Sequence, residues 1–238
     1  MTKPGMEDRL SFKVVEYPNK KQLQLKPEEF DEGVKFALEN GIKSLMVCRG
    51  SEKTQKYMTI DFSWLRKLPE LHSLEIMTPL SKKSNIDGIY GLKRLKNLHY
   101  SHYDNVPLDH TKLKSLEHLY TLYSKNHKYS KSSFESLENL KSLKLWRIKE
   151  EENCTFIGTI KKIIRLELTW SKSLKTLEGI EKYKLLKYLS LINLSQLENI
   201  SALDELKELK GMWMENCKKI SEAEKYGLKR FRKNIYTK

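Results

Sequence analysis

One short pattern recurs along most of this chain at a nearly constant spacing. Its unit is a hexapeptide with apolar residues at positions one, four and six, matched loosely in some copies. The copies are "IKSLMV", "LHSLEI", "LKNLHY", "LEHLYT", "LKSLKL", "IIRLEL", "LKYLSL" and "LKGMWM". Their fourth residues fall at 45, 74, 98, 119, 143, 166, 189 and 212, so the intervals are 29, 24, 21, 24, 23, 23 and 23 residues. A fixed period in the low twenties predicts a solenoid, in which each repeat forms one coil stacked on the next.

The C-terminal copies carry a second periodicity. After each hexapeptide, apolar residues recur at every third position: Leu174, Leu177 and Ile180, then Leu197, Ile200 and Leu203. With these features, residues 42–220 resemble the leucine-rich repeat superfamily, nearest to its short-repeat, internalin-like class. Where that family usually has an asparagine, this chain has Ser171, Leu194 and Cys217, so the backbone carbonyls there need other partners. The resemblance implies an α/β fold: a right-handed solenoid with a curved parallel β-sheet on its concave side and short helices, 3-10 turns and loops on its convex side.

The segments outside the repeats predict caps. The stretches "LSFKVVEY" and "KQLQL" alternate apolar and polar residues around "PNKK", which is typical of a β-hairpin, and "KPEEFDEGVKFALENG" predicts a helix that stops at Gly41. We therefore expect an N-terminal cap over 1–41, a solenoid of about eight repeats over 42–220 and a basic C-terminal capping segment over 221–238. An insertion around "GSEKTQKY" and the stretches 77–90 and 101–112 interrupt the regular pattern.

Composition restricts the class of protein. The 238 residues are 39% hydrophobic, which is enough to bury a sizeable core. The N-terminus "MTKPGMEDRLSF" has no apolar stretch of the kind that signal peptides contain, and no apolar run approaches the length of a membrane span. Cys48, Cys154 and Cys217 are far apart and fit no metal or disulfide pattern, so we expect reduced thiols and a cytoplasmic protein. The abundance of Lys, Asn and Ile is typical of low-GC bacterial genomes.

Strand periodicity assigns side chains to the two faces of the predicted sheet. Because successive residues of a strand point to opposite faces, hexapeptide positions four and six face the core, whereas positions three, five and seven face the concave side and position eight lies at its rim. Three of the four tryptophans then fall on or beside the concave sheet. Large aromatic and arginine side chains dominate protein interfaces. The predicted partner-binding residues are Tyr120, Tyr123, Lys144, Trp146, Arg147, Arg165, Glu167, Trp170, Tyr188 and Trp213.

The net charge of +14 is placed mainly outside this predicted face. On the face, four cationic residues stand against three acidic ones, whereas position two of the hexapeptide is lysine in five of the eight copies. These lysines predict either a solvated surface or a ladder that steers an acidic partner towards the aromatic residues.

Leucine-rich repeat proteins are mostly binding scaffolds, so the resemblance implies a non-catalytic, protein-binding function. A small cytosolic bacterial member without an attached effector domain fits an inhibitor or immunity protein that binds a toxin domain with an acidic surface. A regulatory subunit of a cytosolic enzyme, such as a phosphatase partner, fits the same sequence. For either role we expect a protein that is monomeric on its own and that binds neither membrane nor cofactor.

Two other classes of function fit parts of the sequence. A pI of about 9.4 with interleaved aromatic residues suits a nucleic-acid-binding protein, but the near-neutral concave face argues against it because phosphate neutralisation concentrates charge at the ligand. For an enzyme, the histidines of "HYSHYD" suggest metal-ligand spacing, yet His99 and His102 are three residues apart and would face opposite sides of a strand. The sequence contains no phosphate-binding loop and no nucleophile motif. We therefore predict no catalytic residues, no metal and no cofactor.

Overall fold

The computed structural model describes residues 12–18, 20–50, 57–100, 105–123 and 134–220, and the backbone of Ile235–Thr237. The chain divides into two compact units, Met1–Val106 and Pro107–Lys238, here called the N-terminal and the C-terminal unit. Most of the predicted insertion around "GSEKTQKY" and the first residues of the irregular stretch 101–112 lie outside the described residues.

The N-terminal unit begins with the predicted hairpin and helix. Its strands are β1 (Lys13–Tyr17), β2 (Lys20–Leu25), β3 (Ser44–Val47), β4 (Ser73–Ile76) and β5 (Asn97–Tyr100). Its helices are α1 (Phe30–Glu39) and α2 (Asp87–Tyr90), with 3-10 turns at Pro27–Glu29 and Phe62–Lys67. Strands β1 and β2 pair in antiparallel fashion, whereas β2, β3, β4 and β5 pair in parallel. The prediction of an N-terminal hairpin followed by a helix is confirmed.

The second strand of the hairpin is also the first strand of the parallel ladder. Leu23 and Leu25 pair with Leu45 and Val47 of β3, and all four side chains are fully buried. Leu23 precedes Leu45 by 22 residues, which is one repeat interval. The repeat pattern missed this coil because Lys20 stands where the other copies have an apolar first residue.

The described strands of the C-terminal unit all pair in parallel. They are β6 (His118–Leu122), β7 (Ser142–Trp146), β8 (Arg165–Ser171), β9 (Tyr188–Leu194), β10 (Gly211–Glu215) and β11 (Ile235–Thr237), and the pairing follows chain order. The connections include 3-10 turns at His110–Lys112, Phe134–Ser136, Thr155–Ile157, Ile180–Lys182 and Ser201–Glu205. Strand β11 lies in the segment predicted as a basic cap. Its Ile235 pairs with Met212, which precedes it by one repeat interval of 23 residues.

The core is built from the repeat leucines. Hexapeptide positions four and six are buried in all eight copies. In the connections, Leu174, Leu177 and Ile180 are fully buried as well. The positions where the family usually has asparagine use other contacts: Ser171 Oγ accepts a hydrogen bond from the backbone N–H of Leu174 at 3.1 Å, and the Cys217 thiol donates to the Leu191 carbonyl at 3.6 Å.

A close backbone contact in the N-terminal unit gives a stability prediction. A Cβ atom added at Gly88 of α2 would lie 1.9 Å from the Phe62 carbonyl oxygen, which is backbone and cannot rotate away. We expect Gly88→Ala to lower the free energy of unfolding by about 3 kcal/mol through overpacking, measured by urea denaturation. Gly91→Ala is the control, because its nearest neighbour would be 3.4 Å away. Equal stability of the two variants would contradict this packing.

Candidate protein-binding surface

Strand pairing in the C-terminal unit arranges the outward-facing side chains in three rows. The start row (position three) is His118, Ser142, Arg165, Tyr188 and Gly211. The middle row (position five) is Tyr120, Lys144, Glu167, Ser190 and Trp213. The end row (position seven) is Leu122, Trp146, Thr169, Ile192 and Glu215. We call these three rows, together with Arg147 and Trp170 at position eight, the binding face.

The charges in the middle row neutralise one another. Lys144 Nζ lies 2.6 Å from Glu167 Oε1 and 4.8 Å from the centre of the Tyr120 ring. Thr169 Oγ1 donates a second hydrogen bond to Glu167 Oε1 at 3.2 Å. Burial against these neighbours raises the pKa of Tyr120. The predicted residues Tyr120, Lys144 and Glu167 therefore form one contact group with no net charge.

The two arginines of the face are held on aromatic rings. The Arg147 guanidinium carbon lies 5.1 Å from the Trp146 ring centre, and that of Arg165 lies 5.0 Å from the Tyr188 ring centre. Neither arginine forms an ion pair with any residue that the structure describes. A stacked guanidinium keeps its charge and its hydrogen-bond donors directed outwards, so both arginines are available to a carboxylate of a partner.

Position eight has an unusual backbone in four successive coils. Arg147, Trp170, Asn193 and Asn216 have φ angles of 56°, 60°, 56° and 54°, in the left-handed region. Asparagine tolerates this region, and the Asn216 amide donates to the Asn193 side chain at 2.8 Å. A bulky residue there is strained by about 1 kcal/mol or more. Trp170 nevertheless occupies such a position, and it is 56% exposed.

Trp213 and Tyr188 lie at the end of the face nearest β10. Trp213 is half-buried, and its indole Nε1 donates to Glu215 Oε2 at 3.3 Å. Tyr188 is 42% exposed. Of the ten predicted residues, nine therefore lie on the binding face, where they are exposed or half-buried.

Tyr123 is the exception, and its predicted place at the rim is wrong. Its side chain is only 3% exposed. The ring centre lies 4.1 Å from that of Phe156, and the hydroxyl donates to Glu151 Oε1 at 2.7 Å. Strand β6 ends at Leu122, and the connection that follows β7 packs over Tyr123. We therefore assign Tyr123 to the interior.

The prediction also omitted two apolar residues of the end row. Leu122 and Ile192 are half-buried and are placed by strand pairing on either side of Trp146 and Thr169. Their position in the repeat assigns them to the outward face, but their aliphatic side chains were passed over in favour of aromatic and charged ones. They extend the apolar part of the binding face along four strands.

The histidines, cysteines and acidic residues of the described chain are dispersed. Among them, no group of three or more His, Cys, Asp or Glu side chains could hold a metal ion. His99 Nδ1 lies 4.0 Å from Glu75 Oε2, while His102 and Asp104 lie outside the described residues. Cys48 is half-buried, Cys154 and Cys217 are buried, and none of the three forms a disulfide bond with a described residue. Burial raises the pKa of the Cys154 thiol, which disfavours the reactive thiolate.

No helix among the described residues is both long and apolar enough to cross a bilayer.

Comparison with known proteins supports the fold. No protein-family model matches the sequence, and no curated protein matches it. The crystal structure of an internalin, InlF, from Listeria monocytogenes aligns with 75% of this chain and 50% of its own length, with a TM-score of 0.50 and 18% sequence identity. This chain therefore spans half the length of that internalin. The chain has the leucine-rich repeat fold, and the short-repeat, internalin-like resemblance is confirmed at the level of the fold.

Two further leucine-rich repeat structures align less closely. The plant peptide hormone receptor RGFR1 in complex with RGF2 aligns with 76% of this chain and 36% of its own length, with a TM-score of 0.36 and 16% identity. A leucine-rich repeat protein of Leptospira interrogans aligns over 91% and 89%, with a TM-score of 0.34 and 13% identity. Proteins of this fold typically act as non-catalytic binding scaffolds, with the exposed sheet as the binding surface.

Proposed function

We propose that this chain is a non-catalytic scaffold that binds a protein partner through the binding face of the C-terminal unit. One observation carries the proposal: Trp170 is more than half exposed on a backbone that tryptophan rarely adopts. The fold gains nothing from this arrangement, because asparagine fits the same position in the next two coils. Backbone strain that the fold does not require is typical of functional sites.

The neighbours of Trp170 indicate what kind of partner surface Trp170 would contact. Trp146 and the aliphatic residues of the end row provide an apolar area, and Arg147 adds an unpaired cation beside it. A cluster of tryptophan and arginine around an apolar patch is the usual composition of an interface hot spot. The neutral middle row argues against a nucleic-acid ligand on this face, because a phosphate backbone requires excess positive charge where it lies.

Within the scaffold class, we propose an immunity or inhibitor protein that acts in the bacterial cytoplasm. It would bind a toxin domain and cover its active site, and it would need no cofactor. The high positive charge of +14 supports a partner with an acidic surface. A regulatory subunit of a cellular enzyme would use the same face, so the identity of the captured protein decides between the two roles.

A double substitution on the binding face tests the proposal. We expect Trp146→Ala combined with Trp170→Ala to weaken partner binding at least about 100-fold, because both side chains are predicted hot-spot anchors. The partner is first captured on the immobilised wild-type protein and identified by mass spectrometry. Its affinity for both forms is then measured by surface plasmon resonance, and circular dichroism checks that the variant is folded.

The matched control replaces two exposed aromatic residues outside the face. Tyr17 and Tyr57 are 45% and 46% exposed, and both belong to the N-terminal unit. Tyr17→Ala combined with Tyr57→Ala is expected to leave the affinity unchanged within about twofold. If the tryptophan variant binds as tightly as the wild type, or if the tyrosine variant loses affinity equally, the partner does not use the binding face.

A further inference from the structure

The two ends of the strands in the C-terminal unit differ in charge. At the start of each strand from β7 to β10, we consider six residues: three from the preceding turn and the first three of the hexapeptide. These stretches are 137–142, 160–165, 183–188 and 206–211. They contain eight cationic and two acidic residues. At the other end, equal stretches begin at position eight and are 147–152, 170–175, 193–198 and 216–221. They contain six cationic and four acidic residues, so the excess charge is concentrated where the strands start.

The turns give this charge a regular arrangement. In four coils the turn is closed by a backbone hydrogen bond, for example from Leu186 N–H to the Tyr183 carbonyl and from Leu209 N–H to the Leu206 carbonyl. The second residue of the turn, read from β6 to β10, is Lys114, Glu138, Lys161, Lys184 and Lys207. Neighbouring strands are about 4.8 Å apart, so Lys161, Lys184 and Lys207 form a column along one edge of the sheet, and Glu138 separates Lys114 from it.

The lysines at position two of the hexapeptide lie next to the turn and belong to the same edge. Several lysines of the edge lack an acidic partner among the described residues. Lys114, Lys161, Lys187 and Lys210 form no ion pair with any residue in the described part of the chain. Lys141 differs, because its Nζ lies 2.7 Å from Glu117 Oε2. Lys184 makes only a long contact of 3.8 Å with Glu205, and both side chains are more than 60% exposed. Within the described part of the chain, the edge therefore carries positive charge that ion pairs leave largely uncompensated.

Apolar surface lies within the same edge. Leu185 is 50% exposed between Lys184 and Lys187, and the exposed Tyr188 connects this edge to the binding face. A phosphate backbone offers no contact for a leucine, whereas an acidic protein surface contains aliphatic side chains among its carboxylates. The residue types thus favour a protein over a nucleic acid as the ligand of this edge.

We propose that the lysine edge, defined as Lys114, Lys161, Lys184, Lys187, Lys207 and Lys210, is a second part of the interface that docks a carboxylate-rich stretch of the protein partner. The inference rests on the proposed function, because it assumes that the partner is a protein. The lysine edge attracts the partner over a distance and increases the association rate, while Trp146 and Trp170 hold it in the final complex.

A charge-neutralising variant tests the lysine edge with a defined probe. The probe is a fluorescent oligoglutamate peptide, and its binding to the 238-residue chain is followed by anisotropy between about 50 and 150 mM salt. The variant combines Lys114→Gln, Lys161→Gln, Lys187→Gln and Lys210→Gln. We expect it to bind the peptide at least about 10-fold more weakly at low salt and with a smaller salt dependence.

The control removes the same number of charges from other exposed lysines of the C-terminal unit: Lys149→Gln, Lys172→Gln, Lys182→Gln and Lys218→Gln. It is expected to bind the peptide within about threefold of the wild type. Equal loss in the two variants would show that only net charge matters and would overturn the proposal. The proposal would also be overturned if the protein bound a single-stranded oligothymidylate of equal charge, or phosphatidylserine vesicles, more tightly than it binds the oligoglutamate peptide.

The tryptophan variant separates this proposal from the proposed function. Trp146→Ala combined with Trp170→Ala is expected to bind oligoglutamate like the wild type, because neither residue belongs to the lysine edge. If the edge variant still binds the peptide while the tryptophan variant loses the natural partner, the lysine edge is refuted and the binding face stands. The reverse result refutes the binding face alone.

Discussion

Trp170→Asn is expected to stabilise the folded protein and to weaken partner binding. Residue 170 has a φ of 60°, and Asn193 and Asn216 occupy the equivalent positions with nearly the same backbone. Asparagine removes the strain, so the free energy of unfolding should rise by about 1 kcal/mol. Loss of the exposed indole should weaken binding by about 2 kcal/mol or more, which is at least 30-fold. Urea denaturation and surface plasmon resonance measure the two effects on one variant.

Opposite changes in stability and affinity distinguish a binding role from a structural one. A tryptophan that packed against the fold would lower both quantities when replaced. The reciprocal substitution, Asn193→Trp, supplies the control: it introduces the same strain one coil further along and removes the side-chain hydrogen bond from Asn216, so it should lower stability by about 1 to 2 kcal/mol. Unchanged stability in both variants would show that the left-handed backbone carries no strain at this position.

The repeat interval predicted most of the binding face because it fixes both strand pairing and side-chain direction. Two residues one interval apart become neighbours on adjacent strands, as Lys144 and Glu167 do in the middle row and Arg165 and Tyr188 in the start row. The same reasoning would have found β2 and β11, since Leu23 and Ile235 continue the interval at the two ends. Both were missed because their first hexapeptide position is a lysine or an arginine rather than an apolar residue.

The repeat interval predicted side-chain directions less well at position eight, where the alternation of the strand ends. Strands β8 and β9 run on to Ser171 and Leu194, whereas β6 stops at Leu122. Once the backbone turns left-handed or leaves the strand, the alternation rule no longer sets the direction of a side chain. Trp170 and Tyr123 occupy the same repeat position, yet the first is 56% and the second 3% exposed. Only packing against the connection after β7 separates them, and local sequence does not encode it.

Tyr123→Ala should therefore behave as a core substitution. Its ring is almost completely buried against Phe156, and its hydroxyl donates to Glu151. We expect the free energy of unfolding of the C-terminal unit to fall by about 4 kcal/mol, as for other buried aromatic residues replaced by alanine. Tyr123→Phe keeps the ring and removes only the hydrogen bond, so about 1 kcal/mol should be lost. Urea denaturation followed by tryptophan fluorescence reports mainly on this unit, because three of the four tryptophans lie within it and only Trp64 lies in the N-terminal unit.

The affinity of the same variants for the partner shows whether the Tyr123 side chain lies in the interior or at the rim of the binding face. If Tyr123 lies in the interior, Tyr123→Phe should bind the partner within about twofold of the wild type, because the binding face is unchanged. Tyr123→Ala should lose affinity only to the extent that the connection after Arg147, which packs on Tyr123, becomes less ordered. A stable Tyr123→Ala variant with strongly reduced affinity would contradict the buried position and would return Tyr123 to the rim beside Arg147.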